Sequence, residues 1–135
     1  HKIKPVIFPA VYDSGRGGDI AITLPGLPCF ECIFHSILNQ KDENGKKREW
    51  DYTNDQPKPM PGLLADIQII AARTAKLALG ILTADQENSF IDRIIKPGHT
   101  LLLIGNETGP NFPEGFQEFW LETKINPECT CQTLK

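Results

Sequence analysis

Two close pairs of cysteines, one near each end of the printed sequence, constrain this chain more than any other feature. Their spacings are C-x-x-C and C-x-C, and the pairs hold all the cysteines of the 135 residues: Cys29, Cys32, Cys129 and Cys131. Each spacing lets two thiolates face one point, and four such sulfurs form the closed tetrahedral shell of a structural metal ion, usually zinc. We therefore predict a structural zinc site with four cysteine ligands that joins the two ends of the sequence.

Other uses of the four cysteines remain open at the level of sequence. They can form two disulfides between the pairs in a secreted domain, or a disulfide relay in a redox protein. Four thiols held by a metal are typical of a reducing compartment, so the metal hypothesis predicts a cytoplasmic protein. His35 lies three residues after Cys32 and can replace a sulfur ligand, although such a histidine is more often a polar neighbour.

Length, charge and hydropathy limit the class of protein. The length corresponds to one domain over residues 1–135. A net charge of −3 with scattered basic residues gives no electrostatic basis for binding nucleic acid. No apolar run reaches membrane-spanning length. No cysteine is left over to act as a free nucleophile, and we predict no catalytic residue.

The first part of the chain has the pattern of a strand pair. Residues 5–12 are continuously apolar but contain two prolines, which predicts a strand that lies at an edge of the sheet or begins after a bend. Residues 19–24 alternate, which predicts an antiparallel partner strand. The glycine-rich connection over 13–18 fits neither known phosphate-binding spacing, and we predict a turn with glycines at positive φ. A short helix is expected over 33–38, after a tight turn at the first cysteines.

The middle of the chain changes from polar to apolar. Residues 39–59 alternate in charge and contain prolines, which predicts a mobile loop. Trp50 and Tyr52 in this loop are candidate partner contacts, or they pin the loop to the domain. Residues 62–82 predict a long helix that is covered on most sides, within the domain or against a second subunit. Its narrow polar stripe consists of Asp66, Arg73 and Lys76.

The last third predicts one more helix and two strands. Thr83 and Gln86 have the spacing of a capping box, and the helix that follows would bury Phe90, Ile91, Ile94 and Ile95. Residues 99–104 are apolar, and residues 116–125 alternate, so both predict strands. On the second strand the predicted covered face is Phe119, Leu121, Thr123 and Ile125. The fold class is therefore α/β, with a mixed, partly antiparallel sheet and buried helices.

Several of these motifs occur in the order found in a known family. This part of the sequence resembles the second half of ThiF/MoeB/HesA proteins, the bacterial relatives of ubiquitin-activating enzymes. The resemblance begins with three runs, Phe8–Tyr12, Gly17–Ile20 and Pro28–Cys32. The apolar helix that begins with Pro61-Gly62 is similar to the long alanine-rich helix of that family. Pro127–Cys131 resembles the family's second cysteine pair, with C-x-C where C-x-x-C is more usual.

The resemblance implies a specific fold and function. It implies the C-terminal portion of a Rossmann-like ThiF fold, with the four cysteines as zinc ligands and the long helix in a homodimer contact. The parent enzyme would use ATP and magnesium to adenylate the C-terminus of a ubiquitin-like or sulfur-carrier protein. The family's ATP-binding motifs lie in its first half and match no position here, so we expect this chain alone to be inactive.

One departure from the family leaves a second hypothesis open. The family's catalytic cysteine, where present, lies between the first cysteine pair and the long helix, and this sequence has no cysteine between Cys32 and Cys129. The alternative hypothesis is a stand-alone, zinc-stabilised protein-interaction module. It would bind a partner protein through the Trp50 loop or through the apolar helix.

Overall fold

The computed structural model describes seven parts of the chain, which are residues 4–12, 15–38, 64–86, 90–93, 95, 98–108 and 112–131. The strands are β1 (Val6–Val11), β2 (Gly17–Thr23), β3 (His99–Gly105) and β4 (Gln117–Glu122). The helices are α1 (Phe30–Leu38) and α2 (Leu64–Leu82), with a short 3₁₀ helix at Ile91–Arg93. The predicted loop at 39–59, with Trp50 and Tyr52, lies outside the described residues.

The four strands form one antiparallel sheet in the order β1-β2-β3-β4. Val6 is opposite Thr23 in the first pair, and Leu102 is opposite Trp120 in the last. The proline-containing strand β1 lies at an edge, as predicted, because proline has no N–H to donate to a second neighbouring strand. The α/β class and the antiparallel pairing are confirmed. Every strand pair among the described residues is antiparallel, so the mixed sheet that the sequence predicts is not found there. Nothing in this sheet supports the Rossmann-like assignment, which stays a prediction.

The sheet separates the two helices into different layers. On one face, α2 packs its buried Ile70 and Leu77 against isoleucines and leucines of β2 and β3. On the other face, α1 packs Ile33 against Ala21 and Leu101. Residues alternate between these faces because successive side chains of a strand point to opposite sides. The chain is therefore a three-layer arrangement in which α1, and with it the first cysteine pair, lies on the side opposite α2.

Helix α2 buries a narrower stripe than the sequence predicts. Only Ile70, Leu77 and Gly80 are buried, whereas the opposite side is exposed and mostly apolar. Arg73, from the predicted polar stripe, donates from Nε to Glu118 Oε1 of β4 at 2.6 Å. The prediction that the helix is covered within the domain is wrong for the described part of the chain, because the sheet covers only one side of a single helix.

The glycine-rich connection also differs from its prediction. Gly15 has φ of 73°, but Gly17 and Gly18 belong to β2 and do not have positive φ. A Cβ on Gly18 would clash with the carbonyl oxygen of Ala10 and lie 2.9 Å from the Ile70 side chain. These two glycines are therefore required by close packing in the sheet rather than by a turn.

A turn over residues 83–86 stands where the sequence predicts the start of a second helix. The Thr83 hydroxyl donates to the Leu79 carbonyl at 2.9 Å, and the Gln86 N–H donates to the backbone carbonyl of Thr83, so the Thr83 side chain does not form the predicted capping box. Threonine makes such bonds to the carbonyl four residues earlier because its short side chain reaches back along the helix. Among the described residues that follow, only the 3₁₀ helix at Ile91–Arg93 is helical.

Strand β4 is present, but its covered face is the opposite of the predicted one. Trp120 packs against the core on the α2 side. Phe119 and Leu121 lie on the other face and are 40% and 41% exposed. Alternation identifies two faces of a strand but does not identify which one meets the larger helix.

No helix in the described part of the chain is long and apolar enough for a membrane span.

Candidate metal centre

The first cysteine pair (Cys29 and Cys32) is positioned by the beginning of α1. Strand β2 ends at Thr23, and the chain reverses through a turn in which Leu27 N–H donates to the Leu24 carbonyl at 3.1 Å. The carbonyl of Cys29 then accepts the first helical hydrogen bond, from Ile33 N–H, at 3.0 Å. The predicted tight turn is thus a helix start, and both cysteines lie at the N-terminal end of α1.

The second cysteine pair (Cys129 and Cys131) follows β4 by a short extended segment and a turn. The turn is closed by a hydrogen bond from Cys129 N–H to the Asn126 carbonyl at 3.0 Å. Cys129 is buried and Cys131 is half-buried. Strands β2 and β4 both run antiparallel to β3, so they end at the same edge of the sheet. The second cysteine pair, which follows β4, therefore lies beside the start of α1, which follows β2.

The two pairs meet in one cluster, which we call the cysteine cluster. All four Sγ atoms lie within 4.8 Å of one another, and no other described side chain joins them in a potential metal site. The Sγ–Sγ distances are 3.6 Å for Cys29–Cys32, 3.5 Å for Cys29–Cys129 and 3.6 Å for Cys32–Cys131. Zinc–sulfur bonds of about 2.3 Å in a tetrahedron put the sulfurs about 3.8 Å apart.

The geometry therefore fits a tetrahedral thiolate site with little rearrangement. All four cysteines are free, and the shortest Sγ–Sγ distances are far above the roughly 2.05 Å of a disulfide. Four cysteines that lie this close together can hold a metal ion such as zinc. The sequence prediction that both pairs face one point is confirmed.

The pKa values of the second cysteine pair are raised, whereas the pKa of Cys29 is lowered. Burial raises the pKa of Cys29, but hydrogen bonds from the Cys32 backbone and the neighbouring thiols outweigh it, so the pKa is lowered. The Cys131 backbone lowers the pKa of Cys129, but contacts with neighbouring thiols and burial outweigh it, so the pKa is raised. Contact with Cys129 lowers the pKa of Cys131, yet burial and the first pair raise it overall. A bound cation would stabilise the four thiolates and so lower the pKa values of the second cysteine pair.

Polar groups surround the cysteine cluster. The Asn126 N–H donates to Cys32 Sγ at 3.3 Å, and Cys129 Sγ lies 3.5 Å from Glu31 Oε2. His35 does not join the four sulfurs; its Nδ1 lies 3.2 Å from Asn126 Nδ2. The interpretation of His35 as a polar neighbour rather than a ligand therefore agrees with its position.

Asn126 contacts the metal centre although its position in the sequence did not predict this. Its signal is the Asn126-Pro127 dipeptide, which is typical of the first two positions of a type I turn. Arg16, in the glycine-rich connection before β2, does not take part in the metal centre. It lies 3.7 Å from Glu107 in an exposed ion pair, away from the cysteine cluster.

A cavity of about 460 Å³ borders the cysteine cluster. It lies between α1 and the segment that follows β4, with Ile33, Leu101 and Leu121 among its apolar walls and Lys124 among its polar ones.

Comparison of this chain with protein-family models, with curated proteins and with solved structures finds no match. The site is therefore interpreted from its own geometry.

Proposed function

We propose that this chain holds one structural zinc ion through Cys29, Cys32, Cys129 and Cys131. The observation that carries the proposal is the convergence of four free Sγ atoms within 4.8 Å of one another. Zinc suits this donor set because thiolates are soft ligands and the ion accepts tetrahedral coordination. A shell of four thiolates leaves no position for water or substrate, so the ion would cross-link the protein and would not catalyse a reaction.

Thermal unfolding with and without a zinc chelator tests this role. The protein with bound zinc should unfold at a lower temperature after the chelator is added, because metal bound only to the folded state stabilises it. Cys129→Ser should unfold at a low temperature in both conditions. Thr130→Ser, between the two cysteines of the second pair, is the matched control and should respond to the chelator like the parent. An unchanged unfolding temperature in the parent would contradict the proposal.

We further propose that the zinc-stabilised domain is the C-terminal part of a ThiF-like enzyme that adenylates the C-terminus of a ubiquitin-like or sulfur-carrier protein. What supports this is the order of the elements, which follows the resemblance in the sequence: two strands, the first cysteine pair, a long helix, two strands and the second pair. In such an enzyme this part would help to hold the carrier protein, while ATP and magnesium would be bound by the parent's other half.

Two measurements on this chain test the ThiF-like assignment. We expect no ATP–pyrophosphate exchange by the chain alone, because no position matches the family's ATP-binding motifs. We expect binding to a ubiquitin-fold carrier protein that ends in glycine, detected by titration calorimetry. ATP–pyrophosphate exchange by this chain, or the absence of binding to any carrier from the same organism, would argue against the assignment.

We propose that the exposed face of α2 forms a homodimer contact. Its apolar members are Leu64, Ile67, Leu79 and Leu82, which are 69%, 41%, 55% and 82% exposed. Contiguous apolar surface of this kind is typical of protein–protein contacts. The same surface supports the alternative function, a stand-alone zinc-stabilised interaction module. Binding to a partner without a ubiquitin fold, together with failure to bind any carrier, would favour that alternative.

A further inference from the structure

Asn126 connects three parts of the metal centre through both its backbone and its side chain. Its carbonyl accepts from Cys129 N–H at 3.0 Å, and its N–H donates to Cys32 Sγ at 3.3 Å. Its side-chain Oδ1 accepts from Glu128 N–H at 3.0 Å, and its Nδ2 lies 3.2 Å from His35 Nδ1. One residue thus contacts the first cysteine pair, the second cysteine pair and helix α1.

The local sequence explains why an asparagine occupies this position. Asn126 is the first residue of the turn that ends at Cys129, and Pro127 has the fixed φ that suits the second position. The asparagine side chain accepts the backbone N–H two residues later, as in an Asx turn. Two hydrogen bonds to Asn126 therefore hold the turn, and the turn sets the direction in which Cys129 enters the cysteine cluster.

The contacts with α1 fix this turn relative to the first cysteine pair. The N–H of Asn126 points to the sulfur of Cys32, and such a bond becomes charge-assisted when the sulfur is a thiolate. The amide of Asn126 contacts the imidazole of His35, which lies one helical turn after Cys32. In the neutral tautomer with an unprotonated Nδ1, the amide donates and the imidazole accepts.

We propose that Asn126 is a positioning residue that sets the metal affinity of the cysteine cluster by holding the two pairs in register. The proposal rests on the proposed zinc centre. Outer residues that orient metal ligands typically change metal affinity by about 10–100-fold when they are substituted. The backbone contacts of Asn126 survive a side-chain substitution, so the effect should come from the lost Glu128 and His35 contacts.

The test compares zinc and cobalt binding by Asn126→Ala, Asn126→Asp and the parent protein. Zinc affinity is measured by competition with a chelator, and Co²⁺ absorption reports whether four thiolates still surround the ion. We expect Asn126→Ala to bind zinc about 10–100-fold more weakly while it keeps the tetrathiolate Co²⁺ spectrum. Asn126→Asp keeps an oxygen acceptor for Glu128 N–H and should recover part of the loss. Thr130→Ser, at an exposed position between the two cysteines of the second pair, changes no charge, is the control and should bind like the parent.

The outcomes separate the two proposals. Equal zinc affinity in Asn126→Ala and the parent would overturn the positioning role and leave the zinc centre intact. A parent chain that binds neither Zn²⁺ nor Co²⁺ would overturn the zinc centre, and the positioning role with it. If Asn126→Ala does not fold, Asn126→Asp decides: a zinc affinity equal to that of the parent shows that the Nδ2 donor of Asn126 contributes nothing to metal affinity, and this overturns the role proposed for the side-chain contact with His35.

Discussion

At the scale of single residues, Asp19 is a buried ionisable side chain, and burial of its charged form costs free energy. It is 8% exposed and lies in β2 on the same face as Ala21, the side of the sheet that α1 covers. Burial raises the pKa of Asp19 above its ordinary value, and a hydrogen bond from Tyr12 opposes this only in part. The charged form is therefore less favourable in the folded chain than in the unfolded one.

The sign of the pH dependence follows from this raised pKa. The stabilising contribution of Asp19 is complete below the unfolded pKa of about 3.9 and is lost as the pH rises through the higher folded pKa. Asp19→Asn keeps an acceptor for Tyr12 and cannot ionise. We therefore expect the variant to gain stability relative to the parent as the pH rises towards 7. Urea unfolding of both proteins at several pH values measures this difference, and a difference that does not vary with pH would contradict the account.

The thiols of the second cysteine pair predict how metal binding depends on pH. The raised pKa values of Cys129 and Cys131 mean that both thiols hold their protons at neutral pH. Metal binding must displace these protons, so zinc affinity should fall as the pH falls. Calorimetry in buffers of different ionisation enthalpy counts the protons released, and we expect more than one per zinc. Release of no proton would show that the ion binds elsewhere.

At the scale of elements, local sequence patterns predicted the strands and the cysteine cluster better than the packing between elements. Strands β1 and β3 follow from continuous apolar runs, and β2 and β4 follow from alternation. The cysteine cluster follows from spacings that restrict four thiols to few arrangements. The close packing at Gly17 and Gly18 and the buried face of Trp120 depend on neighbours that are distant in sequence. These features could not be predicted because a local pattern contains no information about what lies across the sheet.

The close approach of β1 and β2 at Gly18 is testable by one substitution. In Gly18→Ala the new Cβ meets the Ala10 carbonyl, a backbone group that cannot rotate away, and the Ile70 side chain. We expect a loss of about 1–3 kcal/mol in the free energy of unfolding, as for other overpacked sites. Chemical denaturation measures the loss. Gly26→Ala is a useful comparison, because its Cβ would meet no atom within 4 Å and only the backbone at φ of 81° is strained.

At the scale of the whole molecule, two features extend beyond the core. The cysteine cluster joins positions 100 residues apart, as Cys29 and Cys129 do, so a bound ion would close most of the sequence into one loop. A cross-link of this kind stabilises a fold by restricting the unfolded chain. The second feature is the exposed apolar face of α2, which the domain itself leaves uncovered in its described part.

Self-association through α2 is the prediction that belongs to this scale. The parent chain should show a concentration-dependent dimer in analytical ultracentrifugation. The double variant Ile67→Lys and Leu79→Lys should be monomeric, because two charges would be placed in the proposed contact. Its circular dichroism and thermal unfolding at low concentration should match those of the parent, since both positions are exposed. A parent that stays monomeric over the accessible concentrations would refute the homodimer contact.

The most direct test of the account is the mass of the intact, folded chain under native conditions. Native mass spectrometry distinguishes zinc-bound protein, metal-free reduced protein and protein whose cysteines are oxidised to disulfides. We predict one zinc ion per chain and four cysteines without disulfides, with the zinc lost in Cys129→Ser and retained in Thr130→Ser. A folded chain that carries no metal, or one whose mass shows the hydrogen loss of two disulfides, would contradict the zinc centre.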